Sequence, residues 1–328
     1  MRAFPVIGAA ILAFAMMSLL AGEAFSQQAY PTRPIRVIDG YPPGGTTDIV
    51  ARLIAPRFQE STGQPWVIEN RPGAQGIIAN DFVARAAPDG YTLLMFTGSH
   101  AVHPSLYKNL PYDLTKSFVP VSGTTDSHSV LMVHPTVPAR NLKELIALAK
   151  ANPGRLNYSS GGPGAGTHVA MELLQSMAGI KLTHIPYKGG APAVLDIAAG
   201  HVDLGFGTMP IASPHIKSGR VRAIAVSRRT RAIALPNVPT VAESGLPGYE
   251  ATNATGVLAP AGTPREIVVK LQQEIARILK MPEIRDRLVG LGTEPVGSTS
   301  EQFGEYIKAE ISKWAKVVKA TGMELQTW

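Results

Sequence analysis

Two glycine-rich turns carry the residues best suited to chemistry, since each follows an apolar run and precedes a helical pattern. The first spans residues 41–48 and the second spans residues 159–168. A helix start has unpaired N–H groups and a partial positive charge, and glycines let a ligand approach that backbone closely. The pair therefore predicts one small anion gripped between two lobes. The contact residues predicted on the turns are Tyr41, Pro43, Gly44, Gly45, Thr46, Thr47, Asp48, Ser160, Gly161, Gly162, Gly164, Ala165, Gly166, Thr167 and His168.

Side chains on the turns have separate predicted roles. The hydroxyls of Thr46, Thr47 and Thr167 are candidate donors to the anion. Asp48 is expected to brace its own turn as an acceptor near the helix start. His168 either contacts the ligand or fixes its turn. Both turns are expected at the surface, so a bulky residue in place of Gly45 or Gly164 is predicted to abolish binding without unfolding the protein.

Three further hydroxyl residues follow predicted strands. Thr97 and Ser99 come after the strand 92–96, and Thr208 comes after the strand 202–206. In α/β proteins, ligands bind beyond the carboxyl ends of parallel strands. These residues are therefore predicted to line the cleft.

Length and composition indicate an exported globular protein of two domains. The chain has 328 residues, a length that exceeds the usual size of a domain with one core. Of these residues, 45% are hydrophobic and 17% are charged, which is typical of globular proteins. Arg2, an apolar run over 6–20 and small residues at Ala24 and Ser26 predict a signal peptide over residues 1–26, cleaved on export to the periplasm. The mature chain is expected to be soluble and monomeric.

The same sequence argues against several classes of function. The 31 Lys and Arg residues exceed the 24 Asp and Glu residues by seven, but they are scattered, which favours a solvated basic surface and no nucleic-acid partner. The absence of cysteine excludes disulfides and thiolate chemistry. The pair His100 and His103 lacks further metal ligands, so neither metal nor cofactor is predicted. Residues 161–168 lack the Lys-Ser/Thr of a phosphate loop, and no G-x-S-x-G elbow is present.

Strand and helix patterns alternate, which favours parallel α/β sheets. A capping box is predicted at Thr263 and Glu266 before one late helix. An apolar stripe containing Trp314 is predicted as core, in a helix that ends at Gly322. The predicted strands are 35–39, 66–69, 92–96, 130–133, 156–158, 182–185, 202–206 and 222–226.

Motifs along nearly the whole mature chain match one known family, at segments 30–36, 42–45 with Asp48 and 51–52, 69–74, 87–93, 158–168, 184–190 with 192–193 and Asp196, 236–243 and 258–264. Together they resemble the Bug family, the periplasmic solute receptors of tripartite tricarboxylate transport systems. Two departures stand out, Asp39-Gly40 in place of apolar and proline residues, and 205–208 in place of a bulkier segment. Either departure is expected to line the cleft and alter the ligand.

The resemblance implies a two-lobed α/β fold of the periplasmic-binding-protein type II class, with two crossovers between the lobes. Domain I is expected at 28–125 and 230–328, and domain II at 126–229. The ligand carboxylate is expected to be held by backbone N–H groups of both turns and by ordered waters. Lys188, within a matching motif, and Asp196, which either braces the cleft or contacts the ligand, complete the predicted site.

The implied function is reversible capture of a small carboxylate, such as a dicarboxylate, an amino acid or an aromatic carboxylate. The expected partners are integral-membrane transporter subunits or a sensor kinase. The alternative is a secreted hydrolase or lyase on the same scaffold, which would need a paired nucleophile and base.

Overall fold

The elements alternate along the chain as predicted. The computed structural model describes residues 30–323 and 325–327, so the predicted signal peptide lies outside them. The strands and helices belong to the unit that begins at Arg33. Its strands are β1 (Ile35–Asp39), β2 (Trp66–Asn70), β3 (Thr92–Thr97), β4 (Phe118–Val133), β5 (Asn157–Ser160), β6 (Thr183–Pro186), β7 (Leu204–Thr208), β8 (Arg222–Val226), β9 (Thr252–Pro260) and β10 (Thr293–Pro295).

Helices follow most of these strands. Two short 3₁₀ helices occupy Ala74–Gly76 and Gly98–Ala101. Within the described ranges, no helix is long and apolar enough to cross a membrane. The α-helices are α1 (Thr46–Thr62), α2 (Ile77–Ala84), α3 (His103–Leu106), α4 (Leu142–Ala151), α5 (Gly166–Ala178), α6 (Gly190–Ala199), α7 (Met209–Lys217), α8 (Arg265–Leu279), α9 (Pro282–Gly290) and α10 (Ser300–Thr321).

The sheet has two parts that share strand β4. In the first part, β1 pairs in parallel with β2 and β3, and β9 lies antiparallel between β3 and β4. In the second part, β5 pairs in parallel with β6 and β7, while β4 pairs antiparallel with β7 and β8. We call the region built on β1–β3 the first lobe and the region built on β5–β7 the second lobe. The domain boundaries predicted from the sequence remain predictions.

The expectation of parallel sheets is wrong at the centre, where β4 and β9 pair antiparallel. Only 130–133 of β4 was predicted, and β9 was missed, because their paired region is rich in small and polar residues. Thr124 and Thr125 each share a 2.7 Å hydrogen bond with Thr255, and all three are buried. Because these hydroxyls hydrogen-bond to each other, the threonines can be buried although they lack the alternation of apolar and polar residues that indicates a strand.

Helix α10 packs against both lobes. Phe303 and Ile307 lie in the apolar cluster of the first lobe, whereas Trp314 and Val318 lie in a cluster with Leu174 of the second. Trp314 is 2% exposed, which confirms the predicted core stripe. Gly322 ends the helix at φ 67°, as predicted.

The capping box lies at α10 and not at α8, which corrects the prediction for Thr263 and Glu266. The Thr263 hydroxyl donates to the Pro260 carbonyl at 2.7 Å, and α8 has no side-chain cap. At α10, Thr299 accepts from the Gln302 N–H, and the Gln302 side chain accepts from the Thr299 N–H.

Replacing this cap gives a modest, specific stability change. We expect Thr299→Ala to lower the free energy of unfolding by about 1 kcal/mol, because one helix N–H loses its acceptor. Chemical denaturation measures the change, with the exposed Thr230→Ala as control. Equal stability of Thr299→Ala and the parent would contradict the assignment.

Candidate functional site

A cavity of about 80 Å³ lies between the two lobes. Its walls come from the first turn and the end of β3 on one side, and from the second turn and the starts of α6 and α7 on the other. The lining residues are Tyr41, Pro42, Gly45, Thr46, Thr47, Thr97, Ser99, Gly161, Ala165, Gly166, Thr167, Gly189, Gly190, Ala191, Pro192, Thr208, Ile211 and Asn253.

Four helices begin at this cavity. Helices α1, α5, α6 and α7 have the N-caps Gly45, Ala165, Gly189 and Thr208, all of them lining residues. Within the described chain none of these four starts has a side-chain cap, so first-turn N–H groups remain available, except at Pro192 of α6 and Pro210 of α7, which have none. The partial positive charges of the helix starts therefore act on a space lined by no charged side chain of the described residues.

The first turn is braced from its outer side by Asp48. Its carboxylate accepts from the Gly44 N–H at 2.9 Å, from Arg52 and from the Asn70 amide, which confirms the predicted acceptor role. Gly44 has φ 81°, which favours glycine. Burial raises the pKa of Asp48, but these hydrogen bonds outweigh it and hold the pKa below its usual value. Asp48 is thus an ionised brace outside the cavity.

The second turn is held by its own side chains. The Gly161 N–H donates to the Thr167 hydroxyl at 3.0 Å, and the Gly164 N–H donates to His168 Nδ1 at 3.2 Å. The His168 ring stacks on His184 with ring centres 4.3 Å apart. Burial lowers the pKa of His168 to about 3, so the imidazole is neutral and fixes the turn.

Several hydroxyl groups around the cavity hydrogen-bond to one another. Thr46 and Thr208 share a 2.7 Å hydrogen bond between the lobes. The Tyr41 hydroxyl lies 2.7 Å from Ser99 Oγ. Thr47 donates to Asp39 at 2.9 Å and so turns its hydroxyl away from its predicted role as donor to the ligand.

The structure brings eleven of the predicted contact residues together on the cavity wall and leaves nine outside it. The eleven are Tyr41, Gly45, Thr46, Thr47, Thr97, Ser99, Gly161, Ala165, Gly166, Thr167 and Thr208. The nine outside are Pro43, Gly44, Asp48, Ser160, Gly162, Gly164, His168, Lys188 and Asp196.

Two of the outside residues lie farther along the second lobe. Lys188 lines a separate groove of about 720 Å³, which shares Tyr41, Pro42 and Gly189 with the cavity. Asp196 accepts a 2.6 Å hydrogen bond from the Tyr187 hydroxyl. The segments Asp39-Gly40 and 205–208 depart from the family pattern. Of their residues, Thr208 alone is among the described lining residues of the cavity.

Seven lining residues were missed by sequence reasoning. A strand–glycine–helix signal was present at Gly189-Gly190, where the pattern of the two predicted turns occurs a third time. Asn253 lies on β9, which was itself missed, so its position had no local signal. The seven are Pro42, Gly189, Gly190, Ala191, Pro192, Ile211 and Asn253.

The expectation that both turns lie at the surface is wrong for the second. Gly164 is buried at φ 79°, and a Cβ there would lie 2.8 Å from Leu106 Cδ2. A bulky residue at this position would disturb packing between the turn and α3. Gly45 is half-buried and lines the cavity.

Direct contacts hold the lobes together beside the cavity. The Gln75 amide donates to the Gly161 carbonyl at 2.8 Å, and the Tyr107 hydroxyl donates to the Pro163 carbonyl at 2.8 Å. We call these two hydrogen bonds the latch. Both join the second turn to segments that follow β2 and β3, so the two lobes are in direct contact beside the cavity.

Metal binding has no geometric support in the described ranges. Within them, no group of three or more His, Asp or Glu side chains is arranged to hold an ion. His100 and His103 are fully buried with ring centres 5.4 Å apart, and His103 Nδ1 lies 3.0 Å from the Tyr112 hydroxyl.

With this geometry in hand, comparison with known proteins identifies the family. A family model described as the tripartite tricarboxylate transporter family receptor matches residues 50–323. The chain belongs to this receptor family. BugT of Bordetella pertussis is 40% identical over 303 residues, covering 92% of this chain and 93% of BugT. The resemblance stated from the motifs is confirmed, and the chain is a solute receptor of this family.

Solved structures show the same two-lobed fold. The R. palustris protein Rpa4515, solved with adipate, has a TM-score of 0.87 at 37% identity and covers 91% of this chain and 100% of its own. MatC from Rhodopseudomonas palustris, solved with bound malate, has a TM-score of 0.84 at 33% identity and covers 88% and 100%. The periplasmic binding protein BugD has a TM-score of 0.86 at 35% identity and covers 90% and 100%. The predicted fold class is confirmed.

Proposed function

We propose that this receptor binds a small carboxylate in the cavity between its lobes. The observation that carries the proposal is the convergence of four uncapped helix starts on a space whose described lining contains no charged side chain. Such a site attracts an anion through N–H groups and helix dipoles. Adipate in Rpa4515 and malate in MatC support a carboxylate as that anion.

A carboxylate held by helix dipoles and backbone N–H groups can be released again, as delivery to a partner requires. A carboxylate paired with a buried Arg would be held by charge-assisted, bidentate hydrogen bonds, which are strong and slow to break. Backbone N–H groups give a weaker and neutral grip. The protein then carries its ligand in the periplasm and passes it to an integral-membrane transporter of the tripartite tricarboxylate type or to a sensor.

The alternative of a secreted hydrolase or lyase lacks a catalytic pair at the cavity. The described lining contains no His, Asp, Glu, Lys or Cys side chain to activate a hydroxyl nucleophile. Ser160 Oγ lies 2.7 Å from His184 Nε2, but Ser160 is fully buried behind the turn and also accepts from the Gly162 N–H. That contact stabilises the second turn.

A carboxylate panel with solution scattering tests the proposal. We expect one or more of adipate, malate, aspartate, glutamate and nicotinate to raise the melting temperature, because binding stabilises the folded state. The same compound should reduce the radius of gyration, since only the closed lobes bring all four helix starts around one ligand. Amide analogues of each compound serve as controls. Equal effects of acids and amides, or recovery of a chemically altered compound, would contradict the proposal.

A further inference from the structure

A buried carboxyl group lies directly behind the first turn. Asp39, the last residue of β1, is fully buried, and its Oδ1 accepts from the Tyr41 N–H at 3.1 Å and from the Thr47 hydroxyl at 2.9 Å. Its other oxygen, Oδ2, has no hydrogen-bond partner within the described chain. An unpartnered carboxylate oxygen in a buried place is costly, so the group needs an explanation.

Both residues that Asp39 holds are part of the cavity wall. Tyr41 and Thr47 line the cavity, so a single residue separates the Asp39 carboxyl from the ligand space. The fold leaves little room to move this segment, because a Cβ on Gly40 would lie 2.7 Å from Gly76 Cα. Asp39 is therefore a fixed group behind the proposed anion site.

We propose that Asp39 is a positioning residue that braces the first turn. Its charge sets the affinity of the cavity for the carboxylate ligand. The inference rests on the proposed function, carboxylate binding at the cavity. The neutral acid holds Tyr41 and Thr47 without opposing the ligand. The ionised acid accepts these hydrogen bonds more strongly but repels the bound anion, so anion binding is accompanied by proton uptake at Asp39.

The surroundings of Asp39 bring its pKa close to neutral pH. Burial raises the pKa of Asp39 to about 7, although the hydrogen bonds from Thr47 and Tyr41 lower it. Asp48 and Arg52 also act on it, but they pair with each other at 2.9 Å and largely offset. Adjacent segments also carry Glu69, which pairs with Arg71 at 3.1 Å and with Arg36 at 2.7 Å, the Tyr41 hydroxyl, and His100, which burial keeps neutral.

The sign of the pH dependence follows from this pKa. A bound anion favours the neutral acid and raises the pKa of Asp39 further, so affinity falls as pH rises through about 7. We expect the dissociation constant of the tightest-binding panel carboxylate to rise about tenfold between pH 6.5 and pH 9, as expected for two like charges separated by one side chain.

The decisive comparison uses Asp39→Asn, which keeps an oxygen acceptor for Tyr41 and Thr47 and stays neutral. Calorimetry should show a dissociation constant that is constant from pH 6.5 to pH 9. At pH 9 it should be about tenfold tighter than that of the parent, and at pH 6.5 it should be similar. Asp286→Asn, which removes an exposed carboxylate on α9, is the matched control and should keep the parental pH profile.

A ligand-free readout accompanies the binding curves. Because folding raises the pKa of Asp39, the parent should lose stability relative to Asp39→Asn as pH rises from about 4 to about 7, and no more above that. Weaker binding by Asp39→Asn at every pH, or the same pH profile as the parent, would overturn the inference. Failure of every panel member to bind would instead overturn the proposed function, and this inference with it.

Discussion

Gly166→Leu is expected to weaken carboxylate binding at least about a hundredfold while leaving the protein folded. Gly166 is the first residue of α5 and lines the cavity. A Cβ there would have only Asn253 Oδ1 within 4 Å, at 3.9 Å, so the fold accepts the branch and the ligand space receives it. A cavity of about 80 Å³ does not hold both a leucine side chain and a ligand. Leucine also favours helix over glycine by roughly 1 kcal/mol.

Calorimetry with the tightest-binding panel carboxylate measures this loss, and thermal melting checks the fold. Gly290→Leu is the matched control, because Gly290 lies at the end of α9 with no neighbouring atom within 4 Å of its Cβ position. The control should bind as the parent does. Retained binding by Gly166→Leu would place the ligand outside this cavity.

Removal of the latch is expected to weaken binding about thirtyfold. In Gln75→Ala with Tyr107→Phe, both hydrogen bonds to the second turn are lost. Each is worth about 1 kcal/mol, and both form only when the lobes are closed. The closed state of the variant is then less populated, and the apparent affinity falls in proportion. Scattering should show a larger radius of gyration for the ligand-free variant than for the ligand-free parent.

Gln272→Ala is the control for this effect. Its amide donates to the Ser298 carbonyl at 3.1 Å, a contact away from the cavity. The control loses a comparable hydrogen bond without affecting closure and should bind normally. An unchanged affinity and radius in the latch variant would show that these bonds do not govern closure.

Local signals in the sequence were sufficient for the parts of the site that follow strands. Glycines before a helical pattern indicated the starts of α1 and α5, and strand ends placed Thr97, Ser99 and Thr208 on the cavity wall. Each of these depends on a few neighbouring residues, because helix starts and strand ends are marked by short-range chemistry.

Other parts of the site depend on contacts between distant segments. Asn253 reaches the cavity because β9 inserts between β3 and β4, in a region whose threonines satisfy one another. The sequence around Thr47 predicts a donor to the ligand, but its hydroxyl donates to Asp39, which lies on the preceding strand. The partner of a polar side chain is set by tertiary structure, so local patterns do not reveal it.

The central claim is that backbone N–H groups at helix starts hold a carboxylate between the lobes. A crystal structure of the receptor with its tightest-binding panel carboxylate tests this most directly. We expect carboxylate oxygens within about 3 Å of N–H groups in the first turns of α1 and α5, with no Lys or Arg in contact with them. A carboxylate bound to Lys188 in the outer groove, or to an Arg side chain elsewhere, would contradict it.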